Sequence, residues 1–221
     1  MKILIAADSF KDALPAVESS QAMARGAAQA GAHIETNCFP LGDGGEGTST
    51  ILTFHSQGQW VACSVHDPLL RPVEAGYGIS GDGQTAFIEM AQAAGLQLLQ
   101  PEERNPLKTS TFGVGEMIRD ALRRGVTHIV LCIGGSATND ARTGMAEALG
   151  YTFFDAGNQP LQGICSHLGK IHYLTAPPRA ALPARVTVLC DVDNPLYGTQ
   201  GAAQVYARQK GADEVAVAEL D

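Results

Sequence analysis

The sequence predicts an α/β protein that opens with a doubly wound parallel sheet and continues into a second, mixed α/β domain. Residues 1–58 alternate between strand-like and helix-like patterns in the order β-α-β-loop-α, which is how a doubly wound sheet begins. Residues 60–90 instead hold three short strand-like runs separated by turn residues, a pattern typical of an antiparallel meander. We therefore place a domain boundary after residue 58, with the second domain reaching residue 221.

The first domain can be followed element by element. Residues 1–7 form an apolar run typical of a buried parallel strand. Residues 14–31 have a helical pattern, with a proline early in the first turn and a glycine at the end. A second short strand over 33–39 leads through a glycine-rich turn to a helix over 46–56.

The second domain shows the same kinds of pattern. Its predicted elements are strands over 60–66, 73–79 and 85–90, a helix over 113–124, a strand over 127–132, a helix over 145–150, a buried strand over 185–190 and a helix from about residue 212. Residues 151–185 give no clear pattern, and Pro177 and Pro178 mark a loop within them.

Residues 133–140 carry the strongest functional pattern. They lie between a strand and a helix, and they combine two glycines with the small polar residues Ser136, Thr138, Asn139 and Asp140. Glycine lets the backbone approach a ligand closely, and a helix N-terminus offers unpaired N–H groups to an anion. Asp140 is also placed to cap the helix. A capped turn without a ligand is the alternative, but a similar loop upstream favours anion binding.

That upstream loop spans residues 42–48 and contains four glycines, together with Asp43 and Glu46. Such a glycine content marks backbone that must bend or lie close to another group. The two carboxylates suit Mg²⁺ bound beside phosphates, because Mg²⁺ usually takes one or two carboxylates plus substrate oxygens. The loop matches neither the Walker phosphate loop nor the dinucleotide-binding glycine pattern.

Aspartates follow the ends of four predicted strands, at Asp8, Asp43, Asp140 and Asp191. In an open α/β sheet, ligands gather beyond the carboxyl ends of the strands. The four loops therefore predict one acidic, glycine-lined cleft, with Lys11 at the same edge. For Asp8 a helix cap is the alternative, and for Lys11 an ordinary solvated lysine.

Seven segments together resemble the bacterial glycerate kinase family in order and spacing. They are residues 8–11, 43–48, 87–90, 103–107, 134–140, 190–196 and 209–212. The resemblance implies an ATP-dependent kinase for D-glycerate, of the group that usually makes 2-phosphoglycerate. It also implies two α/β domains with the active site between them. The family chain is much longer, so the resemblance covers its N-terminal portion and leaves the Rossmann-like domain incomplete here.

Roles for individual residues follow from this resemblance and from the loop chemistry. We expect Asp43, Asp191 and Lys11 to be catalytic, and Asp43 and Glu46 to hold Mg²⁺. Gly134, Gly135 and Ser136 would cradle the substrate carboxylate or a phosphate, oriented by Asn139 and Asp140. The full set of expected substrate- or phosphate-binding residues is Asp8, Ser9, Gly44, Gly45, Gly134, Gly135, Ser136, Asn139, Asp140 and Asn194.

Three places depart from the family pattern. Ala141 and Arg142 stand where the family usually has two glycines, and Ala207 and Arg208 replace a usual Gly-Pro. Residues 163–169 stand in place of a glycine-rich stretch. The alternative function is therefore a truncated, non-catalytic acid- or nucleotide-binding remnant of the family. For that alternative, an apolar sheet face left exposed would indicate that the rest of the family chain normally covers it.

Composition is that of a globular protein, with 45% hydrophobic and 17% charged residues among 221. The net charge of −8 and the pI near 5.2 argue against nonspecific binding to nucleic acid or anionic membranes. Local cations could still serve an anionic substrate, although each alone is interpreted as a solvated surface residue: Lys11, Arg104, Lys108, Arg142 and Lys210.

Location and redox state follow from what the sequence contains. No apolar stretch approaches the ~20 residues that span a bilayer, and the N-terminus has no signal-peptide pattern, so we expect a cytoplasmic protein. The five cysteines show no C-x-x-C pair, which predicts reduced thiols. Cys132 and Cys190 lie in apolar runs and are predicted to be buried.

Overall fold

Three β-sheets and the helices around them form the described part of the chain. The structure is a computed structural model that describes residues 1–10, 13–31, 33–42, 45–177 and 184–221. Its strands are β1 (Lys2–Ile5), β2 (Glu35–Cys38), β3 (Gln59–His66), β4 (Pro72–Ile79), β5 (Thr85–Glu89), β6 (His128–Cys132), β7 (Thr152–Phe154), β8 (Pro160–Leu161), β9 (Tyr173–Thr175) and β10 (Arg185–Leu189). Its α-helices are α1 (Ala16–Ala30), α2 (Thr48–His55), α3 (Ala91–Ala94), α4 (Phe112–Arg123), α5 (Thr143–Ala148), α6 (Ala202–Tyr206) and α7 (Glu214–Leu220). The predicted α/β class is confirmed.

The N-terminal unit is a β-α-β crossover, as predicted. β1 and β2 pair in parallel, with α1 between them in the chain. Pro15 precedes the first helical residue, where its missing N–H costs nothing, and α1 is rich in alanine, the best helix former. The expected burial of β1 is wrong: Ile5 is buried, but Leu4 is 66% exposed. A parallel strand is buried only when other elements cover both faces of its sheet. The described residues cover only one face of the sheet formed by β1 and β2.

The central sheet has five strands in the order β10-β6-β5-β4-β3. β5, β6 and β10 are parallel, whereas β3 pairs antiparallel with β4, and β4 with β5. The predicted meander is therefore confirmed. Asp67 and Asp82 organise its two turns, because each carboxylate accepts hydrogen bonds from amides two residues onward.

The core lies between this sheet and α4. Val114, Met117, Ile118 and Ala121 recur at the three- and four-residue spacing that places side chains on one helix face, and all are buried. They belong to one cluster with sheet residues that include Ile88 of β5 and Ile129 and Leu131 of β6. Each fully buried aliphatic side chain contributes about 1.5–3 kcal/mol, so this packing holds the parallel strands in place.

Helix α2 packs on the central sheet, although it precedes the predicted domain boundary. A Cβ atom at Gly78 of β4 would lie 1.6 Å from Thr53 Oγ1 of α2, so glycine is required for this close approach. The Ser56 carbonyl accepts a hydrogen bond from Gly81 N at 3.0 Å. The boundary after residue 58 stays a prediction.

The remaining elements lie at the margins. β7, β8 and β9 form a three-stranded sheet in the region whose sequence gave no clear pattern. The expected burial of β10 is wrong, since Val186 and Val188 are each 42% exposed. β10 is an edge strand that pairs only with β6 among the described residues. For the same reason Cys190 is exposed rather than buried, whereas the burial of Cys132 is confirmed.

All five cysteines are free thiols, as predicted. Among the described residues, no helix has the length and apolar character needed to cross a membrane.

Candidate active site

The carboxyl ends of three parallel strands lie side by side in the central sheet. Glu89 of β5 is level with Cys132 of β6, which is level with Leu189 of β10. Gly134 and Asp191 each lie two residues beyond these partners. The structure therefore brings the predicted glycine loop and Asp191 to one edge of the sheet, where ligands of α/β proteins bind.

The backbone of the glycine loop, residues 134–140, is fixed by its neighbours. Gly135 O accepts from Leu96 N at 3.0 Å, and Ala137 N donates to Ala94 O at 2.7 Å. Thr109 Oγ1 donates to Ala137 O at 2.9 Å. Gly135 has a φ of +71°, in the left-handed region that glycine adopts without strain.

Unlike the carbonyl groups of Gly135 and Ala137, several N–H groups of the loop lack hydrogen-bond partners among the described residues. Within the described ranges, the amides of Gly134, Gly135 and Ser136 have no hydrogen-bond acceptor. Gly135 is also exposed. Three adjacent unpaired backbone donors at a partly exposed turn are suited to binding an anion.

Asp140 is buried at the end of this loop. Its carboxylate accepts hydrogen bonds from Thr111 N, Thr111 Oγ1, Arg142 N and Gly144 N, at 2.8, 2.7, 3.2 and 3.2 Å. Burial raises the pKa of the Asp140 carboxyl, and the hydrogen bonds oppose that rise. These contacts fit the expected role of orienting the loop.

The same contacts change where an anion could bind. Asp140 takes the Gly144 amide in the first turn of α5, and Thr111 Oγ1 accepts from Met145 N at 2.9 Å. The expectation that the N-terminus of α5 offers unpaired N–H groups is therefore wrong, because protein oxygens already occupy them. The loop backbone before Asp140 supplies the free donors instead.

The two residues after Asp140 adopt left-handed backbone conformations. Ala141 has a φ of +48° and Arg142 a φ of +63°. A residue with a Cβ atom adopts this region at a cost of roughly 1–2 kcal/mol. The glycines that the family resemblance leads us to expect at these positions would adopt this backbone without that cost. The Arg142 side chain is exposed, as predicted.

Lys210 is the main residue that sequence reasoning misplaced. Its interpretation as a solvated lysine is wrong, since it is only 8% exposed. Its ammonium donates to Ser136 Oγ at 3.1 Å and to Thr138 O at 2.7 Å. Burial lowers the pKa of Lys210 to about 8, with the field of Asp140 acting in the opposite direction.

A close contact beside Lys210 brings a further segment to this place. A Cβ atom at Gly211 would lie 2.1 Å from Arg104 O, so the glycine allows the two backbones to meet. Arg104 Nε is buried without a hydrogen-bond partner in the described part of the chain. Residues 103–107, 134–140 and 209–212, three of the segments that carry the family resemblance, therefore converge.

Glu89 is a second residue that sequence reasoning did not assign to the site. It is 3% exposed, and its Oε1 accepts a hydrogen bond from Ser49 N at 2.7 Å. This bond ties the first turn of α2, and with it the end of the 42–48 loop, to the carboxyl edge of β5. A charged residue closing the apolar run 85–90 was the signal that could have pointed to it.

The other predicted site residues fall into two groups. Some lie away from the carboxyl edge of the central sheet, and others lie in the loops near that edge. Asp8 and Ser9 are exposed beyond β1, which belongs to the two-stranded sheet. Asn194 donates to Gln200 O at 3.0 Å and accepts from Tyr206 Oη, so it stabilises its own loop. Glu46 is exposed and Gly45 partly exposed. Lys11, Asp43 and Gly44 lie outside the described residues.

Among the described residues, Mg²⁺ can be bound only through one or two carboxylates at a time. In the ranges that the structure describes, no three acidic, histidine or cysteine side chains group closely enough to hold a metal. Mg²⁺ commonly uses one or two carboxylates and completes its shell with water and phosphate oxygens. Exposed carboxylates at strand-end loops, such as Glu46 and Asp191, fit that mode.

Fold and site together define an α/β protein with a glycine loop of free backbone amides at the carboxyl edge of its parallel strands. The model of the glycerate kinase family matches residues 3–221. The glycerate kinase of Halalkalibacterium halodurans is 44% identical over 222 residues, covering 99% of this chain and 58% of that protein. The glycerate 2-kinase of Escherichia coli (strain K12) is 43% identical over 224 residues, covering 100% of this chain and 58% of that protein.

A solved structure gives the same result. The chain matches a crystal structure assigned to glycerate kinase 2 of Salmonella typhimurium LT2 with a TM-score of 0.89 and 41% identity, covering 100% of this chain and 60% of that one. The chain belongs to the glycerate kinase family. It spans about three fifths of the length of these relatives.

Proposed function

We propose that the chain contributes the substrate site of a kinase that transfers the γ-phosphoryl group of ATP to D-glycerate. Family membership supports the reaction class, and the name of the Escherichia coli relative supports 2-phosphoglycerate as the product. The observation that carries the proposal is the placement of the free amides of Gly134, Gly135 and Ser136 beside Asp191 at one sheet edge.

The chemistry asks for positioning and charge neutralisation more than for covalent participation. The glycerate hydroxyl oxygen forms a bond to the γ-phosphorus, and the bond from that phosphorus to the β–γ bridging oxygen breaks. The hydroxyl proton passes to a carboxylate, for which Asp43 and Asp191 are the candidates. The loop amides bind the substrate carboxylate or a phosphate, and Lys11 contacts the transferred charge.

Mg²⁺, bound by Asp43 and Glu46 together with phosphate oxygens, would neutralise charge on the phosphates. Asp8, Ser9, Gly44, Gly45 and Asn194 complete the proposed binding set. Asn139 and Asp140 act indirectly, by holding the loop.

A second candidate function is a non-catalytic remnant that binds an organic acid or a nucleotide. One observation favours it: Ala141 and Arg142, which stand where the family resemblance leads us to expect glycines, occupy left-handed backbone positions. A remnant would retain the anion loop without turnover.

Single substitutions of the two candidate bases test the proposal. ATP-dependent phosphorylation of D-glycerate is followed by coupled ADP release for the wild type, Asp43→Asn and Asp191→Asn. Loss of a catalytic base lowers turnover by roughly 10²- to 10⁴-fold. Asp82→Asn is the matched control, because Asp82 lies in the β4–β5 turn, at the opposite edge of the sheet. Unchanged turnover in both test variants would remove the catalytic assignment.

A further inference from the structure

Lys210 makes two hydrogen bonds to a loop more than seventy residues away in sequence. It closes the short 3-10 turn Arg208–Lys210, and both acceptors, Ser136 Oγ and Thr138 O, belong to the glycine loop. The two acceptors bracket residues 136–138, which directly follow Gly134 and Gly135 with their free amides. Lys210 therefore adds two hydrogen bonds to those that hold this part of the loop in position.

The chemistry of these bonds fixes the direction of the Ser136 hydroxyl. An ammonium group has three donors and no acceptor, so Ser136 Oγ must accept from Lys210. The hydroxyl proton must then point away from the lysine. Within the described residues, Ser136 Oγ–H has no acceptor of its own. It is thus free to donate to an oxygen of a bound anion, in line with the loop amides.

The charge of Lys210 is also unusually placed. The side chain is buried, and in the described ranges no carboxylate forms an ion pair with it. Burying a cation without a paired anion costs free energy. Of the charged groups on the surrounding elements, Asp140 is the one whose field favours the ammonium, and Arg104 contributes a second positive charge on the segment against Gly211.

We propose that Lys210 is a positioning residue that holds the glycine loop and fixes the Ser136 hydroxyl as a donor to the carboxylate or phosphate of the substrate. The inference rests on the proposed function, because that function supplies the anion. Deprotonation of Lys210 reverses the bond: a neutral amine can accept from Ser136 Oγ–H and withdraw that donor from the ligand. Anion affinity is therefore expected to fall as pH rises past about 8.

The first test needs no ligand. The amide signals of Ser136, Ala137 and Thr138 and the ε-carbon signal of Lys210 are followed by NMR from pH 6.5 to 9.5. The proposal predicts one shared midpoint, near pH 8. Loop signals that do not move, or that move with a different midpoint from Lys210, would overturn it. Lys210→Arg should abolish the loop titration, because a guanidinium stays charged throughout this range.

The second test measures anion binding, with inorganic phosphate and D-glycerate as separate calorimetric probes at pH 7. Lys210→Met and Ser136→Ala are each expected to weaken binding by roughly 10- to 100-fold, the effect of one hydrogen bond to a charged group. The double variant should lose much less affinity than the product of the two single-variant losses. Both substitutions remove the same hydrogen bond between Lys210 and Ser136, so their effects are not independent. Lys170→Met removes an exposed lysine and should change nothing.

The outcomes separate this inference from the proposed function. Phosphate binding without D-glycerate binding would count against the proposed substrate, while Lys210 would still be judged on phosphate. If the wild type binds neither probe, the NMR titration alone decides. Wild-type affinity in Lys210→Met, or equal losses in Lys210→Met and Lys170→Met, would overturn the positioning role.

Discussion

Asp140 accepts hydrogen bonds from both the amide and the hydroxyl of Thr111, at 2.8 and 2.7 Å. Thr111 immediately precedes α4, the helix at the centre of the core, and Asp140 ends the glycine loop. The pair therefore connects the helix that packs on the central sheet to the candidate anion site. Its geometry makes the loop depend on the core for its shape.

Replacing Asp140 should be costly to stability. Asp140→Ala leaves the buried Thr111 and Gly144 amides without an acceptor, and we expect a loss of about 3 kcal/mol or more in the free energy of unfolding. Urea denaturation gives the value. Asp82→Ala also removes an acceptor of local hydrogen bonds, but on an exposed turn, and should cost about 1 kcal/mol or less. Equal losses would contradict the structural role of Asp140.

Substitution of the two left-handed residues after Asp140 by glycine should increase stability. Ala141→Gly and Arg142→Gly should each raise the free energy of unfolding by about 0.5–1 kcal/mol, since relief of the left-handed backbone exceeds the entropic cost of glycine. Ala28→Gly, on an exposed position of α1, should lower it by about 1 kcal/mol. A loss at positions 141 and 142 comparable to that at 28 would show that the positive φ values impose no strain.

Lys210 gives a pH-dependent stability. Burial lowers its pKa to about 8 from the ordinary 10.5, so between these values the unfolded chain binds more protons than the folded chain. Stability from this group is therefore present above pH 10.5 and lost as pH falls through about 8. The stability of the wild type relative to Lys210→Met should rise by about 2 kcal/mol between pH 7.5 and 10.

The measurement is urea denaturation of both proteins at several pH values. Other titrating groups cancel in the difference, and Lys170→Met serves as the control with a flat pH dependence. A flat difference for Lys210→Met as well would mean that the lysine is solvated.

Glu89 should control the start of α2. In Glu89→Gln a neutral amide oxygen replaces the carboxylate that accepts from Ser49 N, and such a bond is about half as strong. Amide hydrogen exchange at Ser49 should become about 10-fold faster, corresponding to a loss of roughly 1.4 kcal/mol. Glu102→Gln, at an exposed position, is the control. Unchanged exchange at Ser49 would rule out the bond as a determinant of α2.

Local patterns predicted the elements of the fold well. The spacing of Val114, Met117, Ile118 and Ala121 specifies α4 by itself, because helical periodicity is a property of neighbouring residues. The meander and the β-α-β opening follow from similarly local turn and strand patterns. The convergence of strand-end loops at one edge follows in turn from parallel pairing.

Burial and contacts between distant segments could not be predicted in the same way. Leu4 and Val188 lie in apolar runs that suggested buried strands, yet burial depends on which elements cover each face. Lys210 and Glu89 owe their environments to partners at Thr138 and Ser49, far away in sequence. A single sequence contains the residue types of such contacts but not their pairing.

The central claim is that this chain contributes the substrate site of an active D-glycerate kinase. The reaction itself tests this claim most directly. The protein is incubated with ATP, Mg²⁺ and D-glycerate, and the phosphorylated product is identified by ³¹P NMR. We predict ADP release that depends on D-glycerate and a product signal from 2-phosphoglycerate. Binding of D-glycerate without any phosphorylated product would contradict the kinase and leave the acid-binding remnant.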